Sequence, residues 1–173
     1  MCCLRVCLYI GRMKCKLLFL LAILWAGTSA ASSQSNSIVG TWTLTAADKL
    51  LPNGIRTSDY GENPHGLVIF TADGHYTVEI YRADRKKFSS SDRLRGTPDE
   101  YRQAFLGMSA HFGRYTVDAH MRTISFIIDR ASFPNWDNAT QVRSYELRGD
   151  ELSWKVPARP DGSVPITVLR RVR

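Results

Sequence analysis

Apolar and polar residues alternate along short segments of the chain between residues 39 and 172. After residue 75, for example, Tyr76, Val78 and Ile80 alternate with the polar residues Thr77 and Glu79. A period of two is typical of a β-strand with one buried face, whereas helices repeat every 3.6 residues. The pattern predicts eight strands, at 39–46, 66–71, 75–82, 111–118, 122–130, 140–148, 151–156 and 164–172.

Turn sequences separate these segments. Ala72-Asp73-Gly74 and Arg148-Gly149-Asp150 are short enough to be hairpin turns, in which glycine adopts the backbone angles that other residues avoid. Pro52-Asn53-Gly54 and Tyr60-Gly61-Glu62-Asn63-Pro64 indicate one long loop between the first two predicted strands.

One helix interrupts the strands. Thr97-Pro98-Asp99-Glu100 combines a capping residue, a proline at the first helical position and a glutamate at the third. This capping box predicts a helix from residue 98 to about Ser109. Its buried face is expected to contain apolar side chains, namely Tyr101, Ala104, Phe105, Leu106 and Met108.

Eight strands at these spacings predict an all-β fold, an antiparallel up-and-down barrel with one helix inserted near residues 98–109. Eight is the number of strands that closes a small barrel, whose interior is filled by side chains or holds one small ligand. A β-sandwich is the main alternative, but it needs long crossing connections, of which the sequence offers few.

The first 30 residues have a different character. Basic residues, including Lys14 and Lys16, precede the apolar run at 17–26, and small residues follow it. This layout predicts a signal peptide over residues 1–30, a polar spacer at 31–37 and the barrel domain at 38–173. A retained anchor is the alternative, but the run is half the ~20 residues that cross a bilayer. The predicted location is secreted or periplasmic, with Met1 or Met13 as the start.

Removal of residues 1–30 changes the composition. It takes away all four cysteines and four basic residues, and leaves 19 basic and 16 acidic side chains, so the net charge falls from +7 to +3. Disulfides, cysteine nucleophiles and cysteine zinc sites are thereby excluded from the predicted domain. The small basic excess gives no indication of nucleic-acid binding. The four histidines show no metal-binding spacing, and no metal or cofactor is predicted.

Strand alternation also predicts which side chains point into the barrel. A pocket for a partly polar molecule has apolar walls and a few fixed polar groups. The Tyr76/Ile80 face, taken as inward, puts Arg82 at the mouth, and the next strands add tyrosine, histidine and arginine. The candidate ligand-binding residues are Tyr76, Arg82, His111, Tyr115, Trp136, Arg143 and Tyr145.

Each of these candidates has a structural alternative. Arg82 and Arg143 could form ion pairs with Asp84, Asp92 or Glu146, while the tyrosines belong to the core. The loop with Phe133 and Trp136 is either a lid over the cavity or a contact on the outer wall. The basic segment 82–95 either attracts an anionic ligand to the mouth or is a solvated loop.

Two sequence patterns in the chain resemble those of a known protein family. Gly40-Thr41-Trp42 and Arg170-Arg171 resemble the lipocalin pattern, in which a late arginine packs over a tryptophan at the closed end. An ordered series resembles the small bacterial and fungal lipocalin-like domains over about residues 38–172: Tyr60–Gly66, Arg82–Phe88, Asp92–Tyr101, Phe112–Asp118, Phe133–Trp136, Gln141–Arg143 and Leu147–Leu152. The resemblance implies a lipocalin-like barrel with a pocket.

The sequence therefore favours an exported protein that binds a small hydrophobic or amphipathic molecule, with an arginine at the polar or acidic end of that molecule. The first alternative is an isomerase or cyclase of natural-product metabolism, with His111 as the candidate catalytic residue. The second is a scaffold module whose barrel is filled by its own side chains. No nucleic-acid partner and no stable membrane insertion after signal cleavage are expected.

Overall fold

The computed structural model describes residues 37–173. The predicted signal peptide and all of the predicted spacer except Ser37 lie outside the described residues. Alternation and turn placement produce nine strands and one α-helix: β1 (Gly40–Leu50), β2 (Arg56–Ser58), β3 (His65–Phe70), β4 (His75–Tyr81), α1 (Pro98–Leu106), β5 (Met108–Asp118), β6 (Thr123–Ala131), β7 (Thr140–Arg148), β8 (Glu151–Lys155) and β9 (Val164–Arg171).

Eight of these strands form a closed antiparallel barrel. β1 and β3 to β9 pair in chain order, and β9 pairs back onto β1. The predicted up-and-down barrel with one inserted helix is therefore confirmed. The additional strand, β2, pairs only with the end of β1, from Asp48 to Leu50, and lies within the predicted long loop.

The core occupies the closed end of the barrel. Trp42 is completely buried and its Nε1 donates to the carbonyl oxygen of Ile38 at 2.8 Å. The guanidinium carbon of Arg171 lies 4.1 Å from the centre of the Trp42 ring, so the expected late arginine is Arg171. Its Nη1 and Nη2 donate to the carbonyl oxygens of Val39 and Ser37 at 2.8 and 2.7 Å. These contacts close the bottom of the barrel.

The helix differs from its prediction in two ways. The capping box is present, with Thr97 as the N-cap and Glu100 at the third position. However, α1 ends at Leu106 and not near Ser109, because Met108 to Ala110 pair with β4 as the start of β5. The helix also has no buried residue, so the predicted buried face is wrong. Within residues 37–173, no helix has the length and apolar character needed to cross a bilayer.

Candidate functional site

A cavity of about 500 Å³ lies at the end of the barrel opposite Trp42. Its walls include aliphatic side chains from three parts of the barrel: Val78 and Ile80 in β4, Val156 after β8, and Ile166 in β9. Its polar lining includes residues from two strands and two loops, namely Asp59, Tyr60, His111, Gln141, Arg143 and Arg159. Apolar walls with a few fixed polar groups are typical of a site for a small amphipathic molecule.

Three buried polar side chains form a hydrogen-bonded chain at the inner end of the cavity. The Tyr76 hydroxyl lies 2.8 Å from Nδ1 of His111, and Nη2 of Arg143 lies 3.3 Å from Nε2. An arginine only donates, so His111 Nε2 accepts, and the neutral ring carries its proton on Nδ1 and donates to Tyr76. Nη2 of Arg143 also donates to Oε1 of Gln141 at 2.7 Å. Both nitrogens of His111 are thus engaged, which fixes its tautomer.

Burial keeps His111 and Tyr76 neutral. His111 is 3% exposed, and desolvation, followed by the positive charge of Arg143, lowers its pKa to about 3. Burial also raises the pKa of Tyr76 well above that of a solvated phenol. Near neutral pH this pair supplies fixed dipoles to the cavity and no charge.

Arg143 is a buried cation without a counter-ion in the part of the chain that the structure describes. It is 5% exposed, and its guanidinium carbon lies 4.5 Å from the ring centre of Phe126 and 5.8 Å from that of Trp154. Among residues 37–173 no carboxylate lies within 4.0 Å of it, and its Nε has no hydrogen-bond partner. Burial lowers the pKa of Arg143 to about 10, which still leaves it charged at neutral pH. The site therefore presents an uncompensated positive charge at the inner end of an apolar cavity.

The rim of the cavity holds a second polar group, which is already ion-paired. Asp59 accepts from Nη1 and Nη2 of Arg159 at 3.1 and 2.6 Å and lies 3.3 Å from Nζ of Lys49. Tyr60 lies beside it, and burial raises the pKa of its hydroxyl. Residues 59 and 159 are separated by 100 positions, so no spacing signal in the sequence links them.

The sequence profile of the lipocalin-like domain matches residues 39–170. The chain belongs to this lipocalin-like family. No curated protein matches it. Similar solved structures include a lipocalin-like protein from Bacteroides uniformis ATCC 8492 (TM-score 0.41, 13% identity, 78% of this chain and 97% of that chain). A redesigned β-barrel is also similar (TM-score 0.38, 16% identity, 78% of this chain and 91% of that chain). So is a variant of the fluorescent protein UnaG in which alanine replaces an asparagine (TM-score 0.37, 13% identity, 79% of this chain and 96% of that chain).

Four of the seven candidate residues lie together at the cavity of this lipocalin-like domain. His111, Arg143 and Trp136 line it, and Tyr76 reaches it through its hydrogen bond to His111. The Trp136 ring stands edge-on to the His111 ring, with 6.2 Å between their centres. A short 3₁₀ helix, Pro134–Trp136, holds the tryptophan there, so it is on the cavity side and not on the outer wall.

The other three candidates lie elsewhere. Arg82 is ion-paired with Asp84, with Nε and Nη2 both 2.8 Å from the carboxylate oxygens. The hydroxyl of Tyr115 donates to the carbonyl oxygen of Thr71 at 2.9 Å, toward the closed end. Tyr145 is half-buried against the core and does not line the cavity. The inward-facing residues therefore do not all line one cavity, because they lie at different depths along the barrel. Ligand contacts by these three residues stay predictions.

Proposed function

We propose that this lipocalin-like domain binds a small, largely apolar acid, with the acidic group at Arg143 and the apolar part along the aliphatic walls. The observation that carries the proposal is the buried, uncompensated guanidinium. An isolated buried charge costs several kcal/mol, and a ligand anion in contact with it offsets that cost. An anion at Arg143 also finds a donor in the unpaired Nε–H.

The chemistry of His111 favours binding over catalysis. An efficient general base has a pKa near the working pH, whereas burial lowers the pKa of His111 to about 3. Both of its ring nitrogens are also hydrogen-bonded. His111 is therefore assigned a positioning role: it holds Arg143 through Nε2. A barrel filled by its own side chains is disfavoured by the cavity of about 500 Å³.

The proposal includes export of the protein. It rests on the basic start, the apolar run at 17–26 and the small residues that follow it, as the sequence has them. An exported carrier of this kind would collect or present its ligand outside the cytoplasm. Detection of the protein in the exported fraction of its host, with a mature N-terminus near residue 31, is the test of this part.

The binding proposal is tested with two probes that differ only in the head group, dodecanoate and dodecanol. Because Trp136 lines the cavity, a change in the tryptophan fluorescence of the protein reports occupancy. A charge-assisted hydrogen bond contributes about 1.5–3 kcal/mol, so the acid is expected to bind roughly 10- to 100-fold more tightly than the alcohol. Arg143→Met removes the charge at similar length and is expected to abolish that difference.

Arg82→Met is the matched control, because Arg82 is ion-paired with Asp84 and lies outside the cavity lining. It is expected to keep the wild-type preference for the acid. Equal affinity of the wild-type protein for acid and alcohol would refute the proposal. Loss of the preference in Arg82→Met but not in Arg143→Met would also refute it, and would move the anion site to the barrel mouth.

A further inference from the structure

The segment of residues 82–107, which joins β4 to β5 and contains α1, has an unusual charge. We call it the appendage. It holds seven basic and four acidic side chains, while the rest of residues 37–173 holds twelve of each. The whole net positive charge of the described chain is therefore concentrated on the appendage.

The acidic side chains of the appendage are already occupied. Asp84, Asp92 and Asp99 lie within 4.0 Å of Arg82, Arg95 and Arg102, respectively. The fourth carboxylate, that of Glu100, accepts the backbone N–H groups of Ser89 and Thr97 at 2.7 Å each. Four basic side chains have no carboxylate within that distance among the described residues, namely Arg85, Lys86, Lys87 and Arg93.

Large apolar side chains are exposed on the same segment. Leu94 is 80% exposed, Leu106 55% and Phe105 44%. Tyr101 keeps the appendage folded, because its hydroxyl donates to the Arg93 carbonyl oxygen at 2.8 Å and accepts from Gly96 N–H at 2.9 Å. The unpaired cations and the exposed apolar side chains thus lie on one segment of the chain, which these hydrogen bonds help to hold in place.

We propose that the appendage docks on the surface of an anionic lipid bilayer. Unpaired lysines and arginines are attracted to anionic head groups, and leucine and phenylalanine side chains enter the region where head groups meet acyl chains. A nucleic acid would use the cations, but it offers no apolar phase for Leu94 and Leu106. The combination therefore favours lipid over a polynucleotide.

The position of the appendage links this surface to the cavity. It begins two residues after Ile80 and ends two residues before Ser109, and both of these residues line the cavity. Docking would bring the mouth of the barrel to the lipid surface, where amphipathic molecules are concentrated. The docking proposal does not depend on the proposed anion site at Arg143, and the two are tested with different variants.

The test is co-sedimentation of the protein, in the form that its host accumulates, with 100-nm vesicles. One set is phosphatidylcholine alone, and the other contains 30% phosphatidylglycerol. Each basic side chain near an anionic surface changes the partition coefficient by about fivefold. Lys86→Ala/Lys87→Ala is therefore expected to lower partitioning onto the anionic vesicles by about 25-fold. Phe105→Gln/Leu106→Gln is expected to lower it by about tenfold or more, through loss of apolar burial.

Arg114→Ala/Lys155→Ala is the matched control, because both side chains are exposed on the barrel wall and have no carboxylate within 4.0 Å among the described residues. It removes the same charge and is expected to change partitioning by less than about threefold. Equal loss in the control would show that net charge alone drives binding and would overturn the proposal. So would equal binding to both kinds of vesicle, or binding to a single-stranded DNA 20-mer with none to anionic vesicles. Melting temperatures of all variants show whether each is folded.

Discussion

The buried neutral His111 predicts that the protein loses stability in mild acid. In the unfolded chain this histidine takes up a proton below its ordinary pKa of 6.5, whereas burial lowers its folded-state pKa to about 3. The unfolded state therefore binds more protons throughout that window, and the free energy of unfolding falls as the pH falls from 6.5 toward 3. Linkage with these two values gives a loss of about 2 kcal/mol between pH 7 and pH 5 from His111 alone.

Urea unfolding at pH 7 and pH 5 measures this loss. The upper part of the window is chosen because most carboxylates stay ionised there in both states. His111→Gln keeps a hydrogen-bonding side chain but does not titrate, so the difference between the two pH values is expected to shrink by about 2 kcal/mol. His120→Gln is the control, because His120 is exposed in a turn. If His111→Gln shows the same acid sensitivity as His120→Gln, His111 is not held neutral by burial.

Two further predictions concern the barrel itself. Gly113 in β5 faces a bulge in β6, where Asp129 has no partner in the register. A methyl group at Gly113 would lie 2.1 Å from the backbone oxygen of Ile127, so Gly113→Ala is expected to lower the free energy of unfolding by about 3 kcal/mol or more, measured by urea. Arg171→Met removes the guanidinium over Trp42 and is expected to lower the free energy of unfolding by about 2 kcal/mol. Arg170 is an exposed neighbour, and Arg170→Met is expected to lower the free energy of unfolding by less than about 0.5 kcal/mol. A loss of equal size in the two arginine variants would contradict the packing described for the closed end.

The sequence predicted the barrel because its strong signals are local. Strand alternation depends on a period of two, and hairpin turns such as Ala72-Asp73-Gly74 depend on neighbouring residues. The start of α1 follows from Thr97 and Glu100, which hydrogen-bond each other's backbone. The exposure of the helix could not be predicted in this way. Phe105 and Leu106 are apolar, but whether an apolar face is covered depends on where the barrel wall lies.

At the candidate site, too, the sequence shows which face of a strand a side chain is on but not how deep in the barrel it lies. Alternation correctly placed the side chains of His111 and Arg143 on the inner face of their strands. It could not show that Tyr115, on the same face as His111, lies beyond the reach of the cavity. The expected partner of Arg143, Glu146, is three residues away on the same strand and therefore points to the other face, where it pairs with Arg148. That spacing was readable in the sequence, and it explains why Arg143 has no counter-ion there.

Binding of an acid at Arg143 inside the cavity can be detected on the intact protein. The decisive measurement is the mass, under native conditions, of the protein purified from its own host. We expect an excess mass on the order of a few hundred daltons that is lost on denaturation and belongs to a compound with an acidic group. The excess should be missing from Arg143→Met. A released compound without an acidic group, or the same excess on Arg143→Met, would contradict binding of an acid at Arg143.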